Sequence, residues 1–160
     1  MSLKIQNWPK LLISVVGCEL VGILGTPFTM AAIPTWYAGL NKPFFSPPNW
    51  LFGPAWTILY FLMGIALYLI WIKDWQKPAV KTALKIFFAQ LALNFIWSPI
   101  FFGLRSPELA LAVIVAMWAL IILTIKKFYP ISKTASYLLI PYLLWVTFAT
   151  LLNAAIVVLN

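Results

Sequence analysis

Five long apolar stretches follow one another along this chain, each bounded by a polar or proline-rich break. A membrane-spanning helix needs roughly 20 mostly apolar residues to cross about 30 Å of hydrocarbon. Residues 11–33, 49–72, 79–102, 108–125 and 135–159 meet or approach that length. A lone strand cannot satisfy its backbone groups in lipid, and the ten-residue alternating segments of a membrane β-barrel are missing from the pattern. The expectation is an all-α fold, an integral membrane bundle of five transmembrane helices in a single domain, 1–160.

Prolines punctuate the same map. Pro9, Pro47, Pro48, Pro78 and Pro107 stand at or just before helix starts, where a missing N–H costs nothing. Pro27, Pro54, Pro99 and Pro141 fall inside four of the spans and leave the carbonyl four residues earlier without its partner, so kinks are expected there. One connection is long: 34–48 reads PTWYAGLNKPFFSPP. Loops of that length are usually functional or disordered. Its Trp36, Tyr37, Phe44 and Phe45 argue for an ordered lid over one end of the bundle, the other reading being an aromatic belt at the membrane interface.

Composition agrees with the span map. Hydrophobic residues make up 64% of 160 positions and charged residues 9%, too much apolar surface for a small soluble domain to hide. The net charge of +8 could suggest nucleic acid. However, the eleven Lys and Arg sit at the ends of apolar runs and no nucleic-acid motif is visible, so no nucleic-acid partner is expected. Lys4, Lys10, Lys73, Lys77, Lys81, Lys85, Lys126, Lys127 and Lys133 fall on one side of a five-span topology, and Lys42 and Arg105 on the other. The positive-inside rule then puts the N-terminus in the cytoplasm, with the lid and C-terminus across the membrane. Met1 to Lys10 reads as the approach to a retained first helix, because the apolar run after it is too long for a signal-peptide core.

The chemistry available is narrow. There is no histidine, and Cys18 is the only cysteine, so no metal site and no intramolecular disulfide are expected. Three scattered acids and no histidine leave no hydrolytic constellation. Glu19 alone lies deep within a span, where a charge costs roughly 2.5–3.5 kcal/mol on insertion scales. It is expected to be protonated and bonded to a carbonyl or hydroxyl of the bundle rather than to serve a proton relay. Helical spacing sorts the aromatics and amides into stripes: Phe52, Trp56 and Tyr60; Gln90, Asn94, Trp97 and Phe101; Tyr142, Trp145, Ala149 and Asn153. Amides in hydrocarbon seek partners, so these faces should turn inward. They suit a flat apolar ligand with polar edges. They would equally serve helix-on-helix packing, with the amides bonding one another. Small residues at four-residue spacing, Ala79 with Ala83 and Ala112 with Ala116, offer weak pairing faces for a homodimer.

Three blocks carry a family resemblance. WYAGLNKPFFSPPNWLFGPAWTILYFLMG (36–64), AQLALNFIWSPIFFG (89–103) and PYLLWVTFATLLN (141–153) resemble, in order, the first loop with second helix, the third helix and the fifth helix of the TspO/MBR family. The resemblance implies a five-helix, often dimeric bundle whose pocket beneath the first loop binds protoporphyrin IX, haem-like tetrapyrroles and other flat apolar ligands. It implies Trp36 and Pro43 in the lid, Trp56 and Tyr60 from the second helix, Asn94 and Trp97 from the third, and Trp145 from the fifth. Phe52 and Ala149 join this ligand-binding set from the stripes. The resemblance also implies an alternative, light- and oxygen-dependent porphyrin breakdown with Trp56 and Trp145 as catalytic residues; a regulatory or structural role is the third reading. No cofactor is expected, and the partners are a porphyrin-like ligand, the lipid bilayer and a second copy of the chain. The Tyr and basic residue of the animal family's cholesterol motif are missing from AAIVVLN, 154–160, so cholesterol recognition there is not expected.

Overall fold

A computed structural model describes residues 7–74 and 76–160, so the expectation that Lys4 marks the basic side lies outside the described residues. The helices are α1 (Trp8–Ala32), α2 (Phe52–Trp71), α3 (Pro78–Ser98), α4 (Pro107–Phe128), α5 (Lys133–Leu138) and α6 (Ile140–Leu159). No strand occurs among the described residues. Counting the short turns that extend them, five helices are long and apolar enough to cross a membrane: Trp8–Ala32, Asn49–Trp71, Pro78–Gly103, Pro107–Phe128 and Lys133–Leu159. The fourth runs three residues beyond the expected end at 125, because Lys126 and Lys127 suit a last helical turn, where cations face the negative end of the dipole.

Asn7 caps α1 by accepting from the Lys10 N–H at 3.1 Å, and Ser132 caps α5 by accepting from Ala135 at 3.3 Å. The internal prolines act differently from one another. Pro27 leaves α1 a single helix. Pro54 sits in the first turn of α2, where its missing N–H has no cost. At Pro99 the backbone widens into a π-helix, Pro99–Gly103, which closes on a Leu104 N–H to Pro99 bond of 2.8 Å. Pro141 coincides with the break at Leu139 between α5 and α6.

Packing closes the spans into a ring. α1 lies along α2, α2 meets α5, α6 packs on α4, α4 on α3, and α3 with its π-turn returns to α1. Two glycines set the α1–α2 approach. A Cβ at Gly64 would stand 2.5 Å from the Val15 Cα, and one at Gly22 would run into the Tyr60 ring. The main core lies at the α2–α3–α4 side, around Met63, Ile70, Phe87, Met117 and Phe128. A second cluster, around Tyr37, Phe101, Leu152 and Ile156, lies under the first loop.

That loop is ordered and divided. Trp36 and Tyr37 pack on Phe101, with ring centroids 5.6 and 6.3 Å away, and Phe45 reaches Phe148 at 6.2 Å. Asn41 pins the loop to the end of α6: its N–H donates to Asn160 Oδ1 at 2.9 Å, and its carbonyl accepts from Asn160 Nδ2 at 3.0 Å. Phe44 is fully exposed, as an interfacial aromatic would be. The lid and belt readings of this loop therefore each describe part of it. Of the small-residue pairs, Ala83 is buried within the bundle and so cannot face a second copy, whereas Ala112 and Ala116 remain exposed on α4.

Candidate ligand cavity

Between α1, α2, α3 and α6 the ring leaves a cavity of about 470 Å³. Phe52, Trp56 and Tyr60 line it from α2, Asn94 and Trp97 from α3, and Trp145 and Ala149 from α6. Seven of the nine residues singled out in the sequence thus share one wall system. The other two do not line it. Trp36 stands behind Phe101, edge-on to that ring, and Pro43 shapes the loop through its carbonyl, which accepts from the Ser46 N–H at 3.0 Å. The loop reaches the cavity instead through Tyr37, which is buried against Phe101 and Phe102. Burial pushes its phenol pKa up, offset in part by a hydrogen bond with Ser46.

The aromatic walls are preset by contacts with one another. Trp56 stacks on Tyr60 with centroids 5.5 Å apart, Trp97 stacks on Phe101 at 4.9 Å, and Phe52 meets Trp145 edge-on at 6.0 Å. Such pairs hold ring planes without a ligand, each contributing about 1 kcal/mol beyond its buried area.

A hydrogen-bonded chain forms the polar floor. The Tyr60 hydroxyl donates to Asn94 Oδ1, Asn94 Nδ2 donates to the Tyr142 oxygen at 2.9 Å, and Tyr142 donates to Gln90 Oε1 at 2.8 Å. Gln90 and Tyr142 are fully buried behind the cavity. The two readings of the stripes therefore both hold, at different positions. Gln90 and Tyr142 bond across the bundle, while Asn94 bonds across it and also lines the cavity with one amide hydrogen uncommitted. Asn153 behaves similarly: it accepts from Trp97 Nε1 at 3.2 Å and donates to the Pro107 carbonyl at 2.9 Å. Trp145 Nε1 is buried and has no hydrogen-bond partner among the described residues.

α1 supplies far more of the cavity than its sequence suggested. Glu19, Gly22, Ile23, Thr26, Thr29, Met30 and Ile33 all line it, a stripe at helical spacing along one face. The stripe was missed because it mixes small, polar and apolar residues and contains no aromatic. Glu19 is also a correction. The expected bonded carboxylic acid is not found: Thr26 donates to Gly22 O at 3.0 Å, and Glu19 makes no side-chain hydrogen bond or ion pair with a described residue. Near the lid end, Thr29 Oγ1 and Ser98 Oγ lie 3.0 Å apart, and Ser98 donates to the Gly25 carbonyl at 3.2 Å, tying α1 to α3. Ile23, Met30 and Trp50 line the cavity and yet are 60%, 69% and 71% exposed, so its mouth opens sideways between α1 and α2, toward lipid.

Comparison with known proteins bears on this arrangement. The sequence profile described as the TspO/MBR family matches residues 14–159. The chain is 52% identical over 156 residues to the tryptophan-rich protein TspO of Archaeoglobus fulgidus, covering 97% of this chain and 99% of that one. It is 38% identical to the tryptophan-rich sensory protein of Cereibacter sphaeroides, over 97% and 94% of the two chains. With the human translocator protein it shares 39% identity over 86% of this chain and 80% of the other. A match across nearly all of the chain, joined to five membrane-spanning helices, leaves one assignment: this multi-pass integral membrane protein belongs to the TspO/MBR family.

Proposed function

We propose that this protein is a membrane receptor or carrier for tetrapyrroles, protoporphyrin IX first and haem second, and for other flat apolar ligands held in the cavity under the first loop. The carrying observation is that cavity itself: about 470 Å³, walled by Phe52, Trp56, Tyr60, Trp97 and Trp145. Its volume suits a small-molecule site. Stacked rings supply contact area to a planar guest, and the uncommitted Asn94 amide hydrogen supplies orientation. The sideways mouth lets an apolar ligand arrive from the bilayer without crossing water. In this reading Trp36 and Pro43 act through the lid, the lysine-rich end faces the cytoplasm, and two copies pair.

Titration of the purified chain with protoporphyrin IX in darkness tests it. Saturable quenching of tryptophan fluorescence is expected, with affinity lost in Trp145→Ala while the melting temperature holds. Binding no stronger than to empty detergent micelles would sink the reading.

A second reading, porphyrin breakdown in light and oxygen, draws on one specific observation: Trp56 and Trp145 both line the cavity. There they could pass an electron or hydrogen atom to an excited guest. Equal bleaching rates for the native chain and the Trp56→Phe/Trp145→Phe double variant would remove this activity and leave binding intact.

A further inference from the structure

Beneath the aromatic walls the cavity carries, among the described residues, one carboxyl group and no basic group. Among the described residues its ionisable lining groups are Glu19, Tyr37 and Tyr60, with neither lysine nor arginine. Glu19 belongs to the α1 stripe through Gly22, Ile23, Thr26, Met30 and Ile33, so helical register aims it at the cavity. It marks the deep end. Fourteen residues separate it from Ile33 under the lid, about 21 Å of helix axis at 1.5 Å per residue.

Trp56 and Tyr60, stacked on each other, line the same cavity from α2. The two sides are close, since the Tyr60 ring fills the space a Cβ would need at Gly22, one turn from Glu19 on the same face. A carboxyl group sharing an apolar cavity with aromatic rings is the chemistry that holds a protonated nitrogen. The carboxylate pairs with its charge, and the ring quadrupoles attract it. Without such a guest the group has no hydrogen-bond or ion-pair partner among the described residues, a costly state for an ionised acid at membrane depth. The titratable groups around it are Tyr60 on α2 and Cys18 beside it on α1; α3 offers Asn94, Phe95 and Ser98, none of which ionises.

We infer that Glu19 and the Trp56–Tyr60 pair form a cation subsite, so that the cavity selects flat apolar ligands bearing one protonated amine at the end that sits deepest. The inference rests on reading the cavity as a ligand site and names a ligand class beyond neutral and acidic tetrapyrroles. Binding of such an amine ionises Glu19, so protons compete with it. Affinity for the amine falls as pH drops, while that for an uncharged analogue does not change.

Two probes of nearly equal shape test this on the full chain in nanodiscs: 9-(aminomethyl)anthracene and 9-anthracenemethanol, both followed by tryptophan quenching. At pH 8 the amine is expected to bind at least ten-fold more tightly than the alcohol, with the ratio falling below three-fold at pH 5. Glu19→Gln should bring the two probes to within two-fold of each other at both pH values. A preference that survives Glu19→Gln overturns the inference. So does a native-chain preference that is flat between pH 5 and 8, a measurement needing no variant. Saturable protoporphyrin binding without amine preference removes the cation subsite only; amine preference without protoporphyrin binding removes the tetrapyrrole reading only.

Discussion

α1 and α2 run side by side along the cavity, but they are held in opposite ways. Half of the most apolar stretch of α2 is buried, 50% against 17% for that of α1. α2 sits against the main core through Leu59, Met63, Leu67 and Ile70, and its Tyr60 enters the buried hydrogen-bonded chain. α1 touches the bundle along a narrow line of Ser14, Cys18, Gly25 and Ala32 and gives most of its remaining surface to lipid and cavity. Lipid is as apolar as leucine, so burial alone does little to hold α1; close backbone approach and a few polar bonds must do it. The difference teaches that one wall of the site is fixed by the core, while the other is fixed by fit. The mouth of the cavity lies between the two.

The largest expected effect follows from that fit. Gly64→Val would drive a side chain into the Val15 backbone, which cannot move aside as a flexible side chain could. A loss of about 3 kcal/mol is expected. Thermal unfolding in detergent should show it, together with loss of ligand binding. If Gly64→Val melts like the native chain, α1 is not held by close approach and the comparison fails.

Next comes the fixed wall. Tyr142→Phe removes the link between Asn94 Nδ2 and Gln90 Oε1, leaving both amides short of a partner, the fully buried Gln90 most of all. The expected cost is about 2 kcal/mol. Weaker binding of any ligand oriented by Asn94 should accompany it, as read by calorimetry. A melt unchanged by Tyr142→Phe would mean that the chain contributes no stability to the α2–α3–α6 side.

A smaller effect belongs to the site. Trp145 Nε1 is buried without a partner among the described residues, so Trp145→Phe should leave stability level or slightly improved, because it removes an unsatisfied donor. Protoporphyrin affinity should fall about ten-fold, equivalent to roughly 1.4 kcal/mol. Equal loss of stability and affinity would instead mark Trp145 as a packing residue.

The smallest change sharpens the account of α1. Ser14 is buried with its hydroxyl unbonded among the described residues, at the very line where α1 meets Gly64. Ser14→Ala should raise stability by about 1 kcal/mol, seen as a higher melting temperature with ligand affinity unaltered. A drop would reveal that the hydroxyl does bond at that contact.

Much of this site was legible before any coordinates. The aromatic and amide stripes of α2, α3 and α6 carry their own signal, because an amide in hydrocarbon must turn inward and brings its helical neighbours with it. Asn94 and Trp97 line the cavity for that reason. The same argument could not separate Gln90 from Asn94, which share a face on α3 one turn apart. Gln90 ends behind the cavity, bonded to Tyr142, while Asn94 lines it. Nor could it find the α1 wall. Gly22 and Thr26 matter through what they leave open and what stands opposite, and neither property is carried by the residue itself.

The number of spans, their helical character and the lysine-rich ends were set by the sequence alone. Each depends on local length, hydropathy and proline position, which hold whatever the helices touch. The order of the ring, the sideways mouth, the division of the first loop into packed and exposed halves, and the placing of Glu19 on the cavity were decided only in the tertiary structure. Those depend on how closely two backbones approach, and in lipid no general hydrophobic force dictates which faces meet. Small differences in fit, a hydrogen in place of a methyl group at Gly22 and Gly64, therefore determine where α1 rests and what the cavity is lined with.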